Sequence, residues 1–479
     1  MNYFELSLLE ISKLLKERKV KSEELVKLCF DEIENNKDYN ALISTRKEEA
    51  LKEAKIADEI LDKNEGTFLT GVPIIIKDNM NMINTKTTCG SKMLENYESI
   101  YNAKVVDDLL NNHAIILGKA NMDEFAMGST NENSYFGACL NAIDKTRVAG
   151  GSSGGSAVSL KKNFCFASLG SDTGGSIRQP ASFNGLVGLK PTYGLVSRFG
   201  LVAYASSLDQ IGTFTKTVKD SMIMLNAIEG YDSREMTSEN REKIDYLKNL
   251  NNSVKGIRIG IPRKFLEMIR EESVKLSINN SIEFFKNNGA EVVDIEIENI
   301  ENSVPVYYTI ACAEASSNLG RFDGIRYGYR SPDCESLNDI YVKSRSEGFG
   351  REVKRRILLG NFVLSSGYFD AYYKKAKKIQ QIISNSFSKA FEKVDVILTP
   401  TVPNTAFKLG ENVNDPIKLY LSDIFTVPVN IAGLPAISLP CGKDKNNMPI
   451  GLQLIGDKFK EQTLFNVADF FETNKGGEN

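Results

Sequence analysis

Two runs of small residues, Gly150–Ser156 (GGSSGGS) and Thr173–Ser176 (TGGS), set serines among glycines. Glycine lets backbone N–H groups come close to a ligand. A hydroxyl among such N–H groups is a candidate nucleophile with an oxyanion site beside it. The candidates are Ser152, Ser153 and Ser156 in the first run, and Ser171 and Ser176 in or near the second. Ser176 follows Gly174-Gly175, so local N–H groups surround it, and it is the better nucleophile candidate. Glycine and serine at this density also suit a flexible linker. Ala157, Val158, Leu160, Phe164, Phe166 and Leu169 lie between the runs, however, and a linker has no use for core residues. Two tight turns flanking buried segments are the better reading of Ala149–Thr192.

A serine nucleophile needs a base. The only histidine, His113, opens an apolar segment, where a turn role suits it better than a Ser-His-Asp triad. A lysine kept neutral by burial is the natural substitute. Lys77 ends Pro73-Ile-Ile-Ile-Lys, which reads as a strand buried on both faces. Ligands of open α/β sheets collect at the carboxyl ends of strands. The plainer alternative is a lysine that snorkels to solvent. The sequence carries no HExxH and no DxDxDG loop, so no metal site is expected. Gly154-Gly155 is followed by Ser156-Ala157 and not Lys-Ser/Thr, which excludes a phosphate loop there.

The elements that must position these residues are legible as alternating patterns. Ser7 with Glu10, and Thr45 with Glu48, read as capping boxes opening helices, and a further helix follows Ser22. A helix is expected over Val105–Leu110 and a strand over Ala114–Leu117. Later come strands at Ile257–Ile261, Glu291–Ile297, Asp395–Leu398, Pro435–Leu439 and Ile450–Ile455. Helices are expected at Ser273–Asn288, Val306–Leu319, Lys375–Val394 and Glu461–Thr473. This alternation predicts an α/β fold around a mixed, mostly parallel sheet covered on both faces. One large domain over 1–479 is expected: N-terminal helices in 1–65, a catalytic core in 66–215, and a C-terminal part, 216–479, completing the sheet and the substrate pocket.

Composition excludes several classes. A net charge of −3 over 479 residues gives no support for a dominant nucleic-acid surface. The seven cysteines are scattered without CxxC spacing, which suits a reduced, cytoplasmic chain. No stretch approaches a membrane span, and no basic segment leads into an apolar run at the N-terminus, so neither membrane insertion nor secretion is expected.

Lys77, the GGSSGGS run and DTGGSIRQPA at Asp172–Ala181 together resemble the signature of the amidase signature family, with Ser152 and Ser176 24 residues apart. The resemblance implies a single α/β/α domain and a Ser–cisSer–Lys triad. Ser176 would be the acyl-enzyme nucleophile, Ser152 the proton relay across a cis peptide bond, and Lys77 the terminal base. The N–H groups of Thr173, Gly174, Gly175 and Ser176 would form the oxyanion hole. His113 stands where the family pattern has glycine.

Four further stretches cover most of the remaining chain: GKANMDEFAMGSTNEN (Gly118–Asn133), RFDGIRYGYR (Arg321–Arg330), EGFGREVKRRILLG (Glu347–Gly360) and YLSDIFTVPVNIAGLP (Tyr420–Pro435). They resemble the branch of that family that supplies ammonia to a tRNA-dependent amidotransferase. That resemblance implies glutamine as amide donor. Arg356 would hold its α-carboxylate and Asp423 its α-ammonium, with Tyr307 and Ser129 nearby. It also implies a heterotrimer with B and C subunits, the B subunit handling misacylated Glu-tRNA(Gln), or Asp-tRNA(Asn), with ATP and Mg²⁺, and no cofactor in this chain. Taken locally, Lys354-Arg355-Arg356 reads as a solvated basic face and Asp423 as a helix N-cap. Two rival functions stand beside this one, a free-standing amidase for another carboxamide and a non-catalytic scaffold.

Overall fold

The computed structural model describes residues 2–411 and 416–475. Among them, eleven strands form one sheet: β1 (Leu42–Thr45), β2 (Pro73–Lys77), β3 (Ile115–Ala120), β4 (Ala167–Asp172), β5 (Val187–Lys190), β6 (Gln210–Thr215), β7 (Arg258–Ile261), β8 (Glu291–Asp294), β9 (Val396–Pro400), β10 (Ala436–Lys443) and β11 (Pro449–Gly456). Their spatial order is β1-β3-β2-β4-β6-β5-β10-β11-β9-β7-β8. Helices cover both faces over two large apolar clusters, so the α/β expectation holds.

The sheet is mixed, but it is not mostly parallel. β2 runs parallel to β3 and β4, and β7 to β8 and β9. The other six neighbouring pairs are antiparallel. Parallel pairing needs a crossover, and helices Lys104–Asn111 and Glu272–Asn287 supply it between β2 and β3 and between β7 and β8. β10 and β11 are instead joined by a short turn. There the Asp444 carboxylate accepts the N–H groups of Asn446 (2.7 Å) and Met448 (2.9 Å), which fixes a hairpin.

Most expected elements appear within a few residues of their sequence boundaries. Ser7 and Glu10 form the expected capping box, each bonding the other's backbone N–H. Thr45 and Glu48 do not. Thr45 ends β1 opposite Gly118, and the helix starts two residues later at Lys47. The expected strand Glu291–Ile297 stops at Asp294. His113 has φ +55°, the turn geometry expected of it. All seven cysteines are unpaired. No helix among the described residues is long and apolar enough to cross a membrane.

The centre of the sheet positions the chemistry. Ile74, Ile75 and Ile76 are fully buried, as a strand covered on both faces requires. Lys77 pairs with Ala120 of β3, and Ile76 with Leu169 of β4. The parallel trio β3-β2-β4 therefore delivers Lys77 and Ser171 to one place, its carboxyl edge.

Candidate active site

Lys77 does not reach solvent. It is fully buried, and its Nζ lies 2.7 Å from Ser152 Oγ, 2.9 Å from Ser171 Oγ and 3.4 Å from Ser171 O. Burial lowers its pKa to about 7, against the pull of Asp123, Asp172 and Asp209. A lysine so placed is half neutral near physiological pH and can accept a proton.

The same geometry sorts the serines. Ser171 sits beside the lysine as an acceptor. Its hydroxyl accepts from Lys77 and from Asn79 Nδ2 (2.9 Å), and so orients the lysine. Ser153 and Ser156 donate to the β4 carbonyls of Ser171 (3.1 Å) and Leu169 (3.0 Å), pinning the start of helix Gly154–Lys161 to that strand. Ser152 alone in the first turn faces Lys77, across a cis Gly151–Ser152 peptide.

That turn has no room for a side chain at Gly151. A Cβ there would sit 2.1 Å from Asp123 Oδ2 and 2.7 Å from the backbone nitrogens of Thr130 and Asn131. Gly151→Ala is therefore expected to displace the relay turn, lowering turnover by about 10²-fold or more through misplacement alone. It should also cost about 1–3 kcal/mol from overpacking. Activity assays with thermal melts check this; a fully active, normally stable variant would refute it.

The second turn is closed by Asp172, at the end of β4. Its carboxylate accepts N–H from Gly175 (2.8 Å) and Ile177 (3.1 Å), a fork from Arg178 (2.9 and 3.0 Å), and Asn430 Nδ2 (2.9 Å). Burial alone would raise this carboxyl, but Arg178 overrides it and holds Asp172 well below the usual range. Of the expected oxyanion donors, the Gly175 N–H donates to Asp172, at a residue whose φ is +136°. The N–H groups of Gly174 and Ser176 have no partner among the described residues, so an oxyanion site rests on them and on Thr173, whose hydroxyl is anchored to Asp209 at 2.7 Å. Ser153 N–H donates to Ser176 O (3.2 Å), joining the turns. Ser176 keeps 7% exposure, and its Oγ has no hydrogen-bond partner among the described residues.

Thr426 Oγ1 links this turn to the next candidate, lying 2.7 Å from Gly174 O and 3.0 Å from Asp423 O. Asp423 is buried and accepts the Ser129 hydroxyl at 2.5 Å. Burial raises it to about 7, and Ser129 and Arg356 only partly offset this. It caps no helix, so the N-cap alternative falls; the following helix, Val427–Ala432, is preceded by Thr426. Arg356 is likewise buried and no part of a solvated face. Its Nε donates to Glu352 (2.8 Å) and its Nη1 to Tyr204 (2.6 Å), while Tyr308 lies 5.1 Å from the guanidinium. No described residue accepts from Nη2, which leaves a donor for a ligand carboxylate. The Tyr307 ring covers Gly174 so closely that a Cβ there would meet its Cζ at 2.7 Å.

Several supporting residues were not singled out as site residues: Asp123, Asp172, Arg178, Gln179, Tyr204, Glu352 and Thr426. Gln179 bridges Gly151 N–H (2.9 Å) and Ser129 O (2.8 Å). Thr426 Oγ1 donates to Gly174 O (2.7 Å). The only local signal for Asp172, Arg178 and Gln179 is their place in the DTGGSIRQPA run. For Tyr204 no signal exists, since it meets Arg356 across 152 residues of sequence.

A family model described as Amidase matches residues 24–465. The chain is 54% identical over 473 residues to the A subunit of glutamyl-tRNA(Gln) amidotransferase from Caldanaerobacter subterraneus subsp. tengcongensis, covering 98% of this chain and 97% of that one. To the protein of the same name from Legionella pneumophila (strain Paris) it is 52% identical over 466 residues, 97% of this chain and 96% of that one. The crystal structure of the A subunit of glutamyl-tRNA(Gln) amidotransferase from Thermotoga maritima superposes with a TM-score of 0.82 at 41% identity, covering 99% of this chain and 96% of that one.

Proposed function

The chain belongs to the amidase family, and from that premise we propose that it is the glutamine-hydrolysing subunit of a tRNA-dependent amidotransferase, a cytoplasmic ligase serving protein biosynthesis. The observation that carries the chemistry is a buried Lys77 Nζ 2.7 Å from Ser152 Oγ, beside the turn that presents Ser176. Ser176 Oγ attacks the side-chain carboxamide carbon. Its proton passes to Ser152 Oγ as the Ser152 proton passes to neutral Lys77. Negative charge develops on the carbonyl oxygen, where the N–H groups of Thr173, Gly174 and Ser176 stabilise it. The proton returns through Ser152 to the departing nitrogen, and ammonia leaves. Water, activated by the same relay, then cleaves the acyl-serine ester to release glutamate and free Ser176.

Arg356 and Asp423 support glutamine over an uncharged amide. They offer opposite charges to the two ends of a free amino acid, and Thr426 ties Asp423 to the turn that holds the nucleophile. An ammonium group against Asp423 supplies the positive partner that lowers its raised pKa. Tyr307 and Ser129 complete this pocket. The relatives' shared name supports a larger assembly, in which B and C subunits receive the ammonia. We assign mainly to the B subunit the activation of misacylated Glu-tRNA(Gln), or of Asp-tRNA(Asn), with ATP and Mg²⁺.

The test is ammonia release from glutamine by the purified chain, alone and with its B and C partners. Asp423→Asn should raise the glutamine KM by about 10–100-fold and change kcat less, as loss of a charged hydrogen bond used in binding predicts. Turnover of apolar amides with none of glutamine would instead make the chain a free-standing amidase. Absence of turnover with every amide would favour a scaffold.

A further inference from the structure

Asp123 and Glu124 are adjacent in sequence and serve opposite sides of the site. The Asp123 N–H donates to Ser152 O (3.2 Å), and its carboxylate accepts the N–H groups of Asn131 (2.8 Å) and Asn133 (3.1 Å) beneath Gly151. Glu124 points the other way. It is 3% exposed, accepts the Gly350 N–H at 2.8 Å, and accepts the hydroxyl of Ser91. That hydroxyl also lies 3.3 Å from Gly348 O. The next two residues, Phe125 and Ala126, both have positive φ, +49° and +61°. Non-glycine residues rarely adopt that conformation, and two in succession mark a segment held by its surroundings. The Phe125 ring is wedged against Phe322 (5.0 Å) and Phe349 (5.7 Å).

Gly350 is the N-cap of helix Arg351–Leu364 and has no side chain with which to cap it. From 226 residues away, Glu124 accepts the N–H of Gly350 itself, the bond that the Glu of a capping box makes to its N-cap. The fit is close: a Cβ on Gly350 would lie 2.4 Å from Glu124 Oε2. Within its first two turns the helix presents Glu352, whose carboxylate accepts from Arg356 Nε (2.8 Å) and the Tyr420 hydroxyl (2.9 Å), and then Arg356 itself. Glu124 and Glu352 both line a cavity of about 240 Å³ beside Gly348–Arg351. Carboxylate, helix start and arginine therefore form one continuous chain of contacts, and the other end of that chain is the peptide carrying Ser152.

We propose that Glu124 is a positioning residue that clamps the helix bearing Arg356 to the segment bearing the Ser152 turn, and so sets the affinity of the pocket for the amino-acid end of the substrate. This rests on the glutaminase reading above. The contact with Gly350 calls for an acceptor at this place, which a glutamine amide oxygen also supplies; burial raises the Glu124 carboxyl to about 7.

The experiment compares Glu124→Ala, Glu124→Gln, Gly350→Ala and the double variant E124A/G350A, each assembled with its partner subunits. Glu124→Ala should raise the glutamine KM about tenfold, the effect of losing one buried hydrogen bond at the helix start, and leave kcat within about threefold. Glu124→Gln should restore a near-normal KM, since its amide oxygen still accepts from Gly350. Gly350→Ala should match Glu124→Ala, and the double variant should add little to either, because both break one contact. Two readouts do not depend on glutamine. Labelling of Ser176 by a fluorophosphonate should proceed at the normal rate in Glu124→Ala. Amide hydrogen exchange over residues 350–356 should speed up, while that over 152–160 stays unchanged. An unchanged KM, additive single variants, or exchange and labelling that change together across the whole site would overturn the clamp. A wild-type chain that labels at Ser176 yet leaves glutamine intact would overturn the glutaminase reading, and exchange would still decide the clamp.

Discussion

Ser176→Ala is expected to lower glutamine hydrolysis by about 10⁴-fold or more, leaving only what binding and oxyanion donors supply without a nucleophile. Ser153→Ala and Ser156→Ala should keep turnover within about tenfold, because their hydroxyls serve β4 carbonyls; each should cost about 1 kcal/mol of stability as one buried hydrogen bond is lost. The contrast matters because the three serines share one composition and differ only in what their hydroxyls touch. Ammonia release measures the rates. Hydroxylamine added during turnover should capture a γ-glutamyl hydroxamate from the wild-type chain and none from Ser176→Ala. Substantial turnover by Ser176→Ala, or a dead Ser153→Ala that folds normally, would move the nucleophile elsewhere.

That contrast also marks how far the sequence reaches. The choice among Ser152, Ser153, Ser156 and Ser171 is undecidable from residue types, since all sit beside glycine or at a strand end. The structure narrows it: Ser153 and Ser156 donate to β4 carbonyls, whereas Ser152 and Ser171 both contact Lys77, one from the turn between Gly151 and helix Gly154–Lys161 and the other from the end of β4. Lys77 itself is legible because Pro73-Ile-Ile-Ile is too apolar to leave its last residue far from the core. Local periodicity also reads the helices around residues 8, 104, 272 and 461 well, because each has its own amphipathic face.

What local patterns miss is long-range. Thr45–Glu48 has a capping spacing, yet pairing with Gly118 claims Thr45 for a strand; tertiary pairing outweighs a propensity of about 1 kcal/mol. Alternation predicted parallel neighbours, but the order of strands depends on which connections carry helices. β4, β5 and β6 lie side by side and pair antiparallel. The bond from the Gly175 N–H to Asp172 is not legible from residue types, since it depends on how the turn folds back on its own first residue. Arg356 and Asp423 look like surface and cap residues in isolation, and only tyrosines distant in sequence bury the arginine. Only the family resemblance singled them out, where local physics pointed away.

The lysine carries the second large effect. Lys77→Met should lower turnover by about 10³–10⁴-fold by removing the terminal base, with methionine filling most of the same volume. In the wild-type chain, kcat for glutamine should rise with pH through about 7, as the buried amine becomes neutral, and then level off. KM should fall over a similar range as Asp423, also raised to about 7, ionises to meet an ammonium group. The two titrations separate because one appears in kcat and the other in KM. Stability responds to the same lysine with a definite sign. Its pKa is about 7 when folded and near 10.5 when unfolded, so between those values the unfolded chain holds more protons and stability rises with pH. Below pH 7 the folded chain must bury an ammonium at full desolvation cost, which methionine does not incur. Lys77→Met should therefore melt above wild type at pH 6, with the difference shrinking as pH rises. Lys190, also buried with a pKa lowered to about 7, shapes the curve of both proteins equally and cancels in their difference. A variant that is inactive and less stable at pH 6 would mean that Lys77 is needed for folding. A variant that is inactive and more stable there would show that the chain pays for this lysine because the reaction uses it.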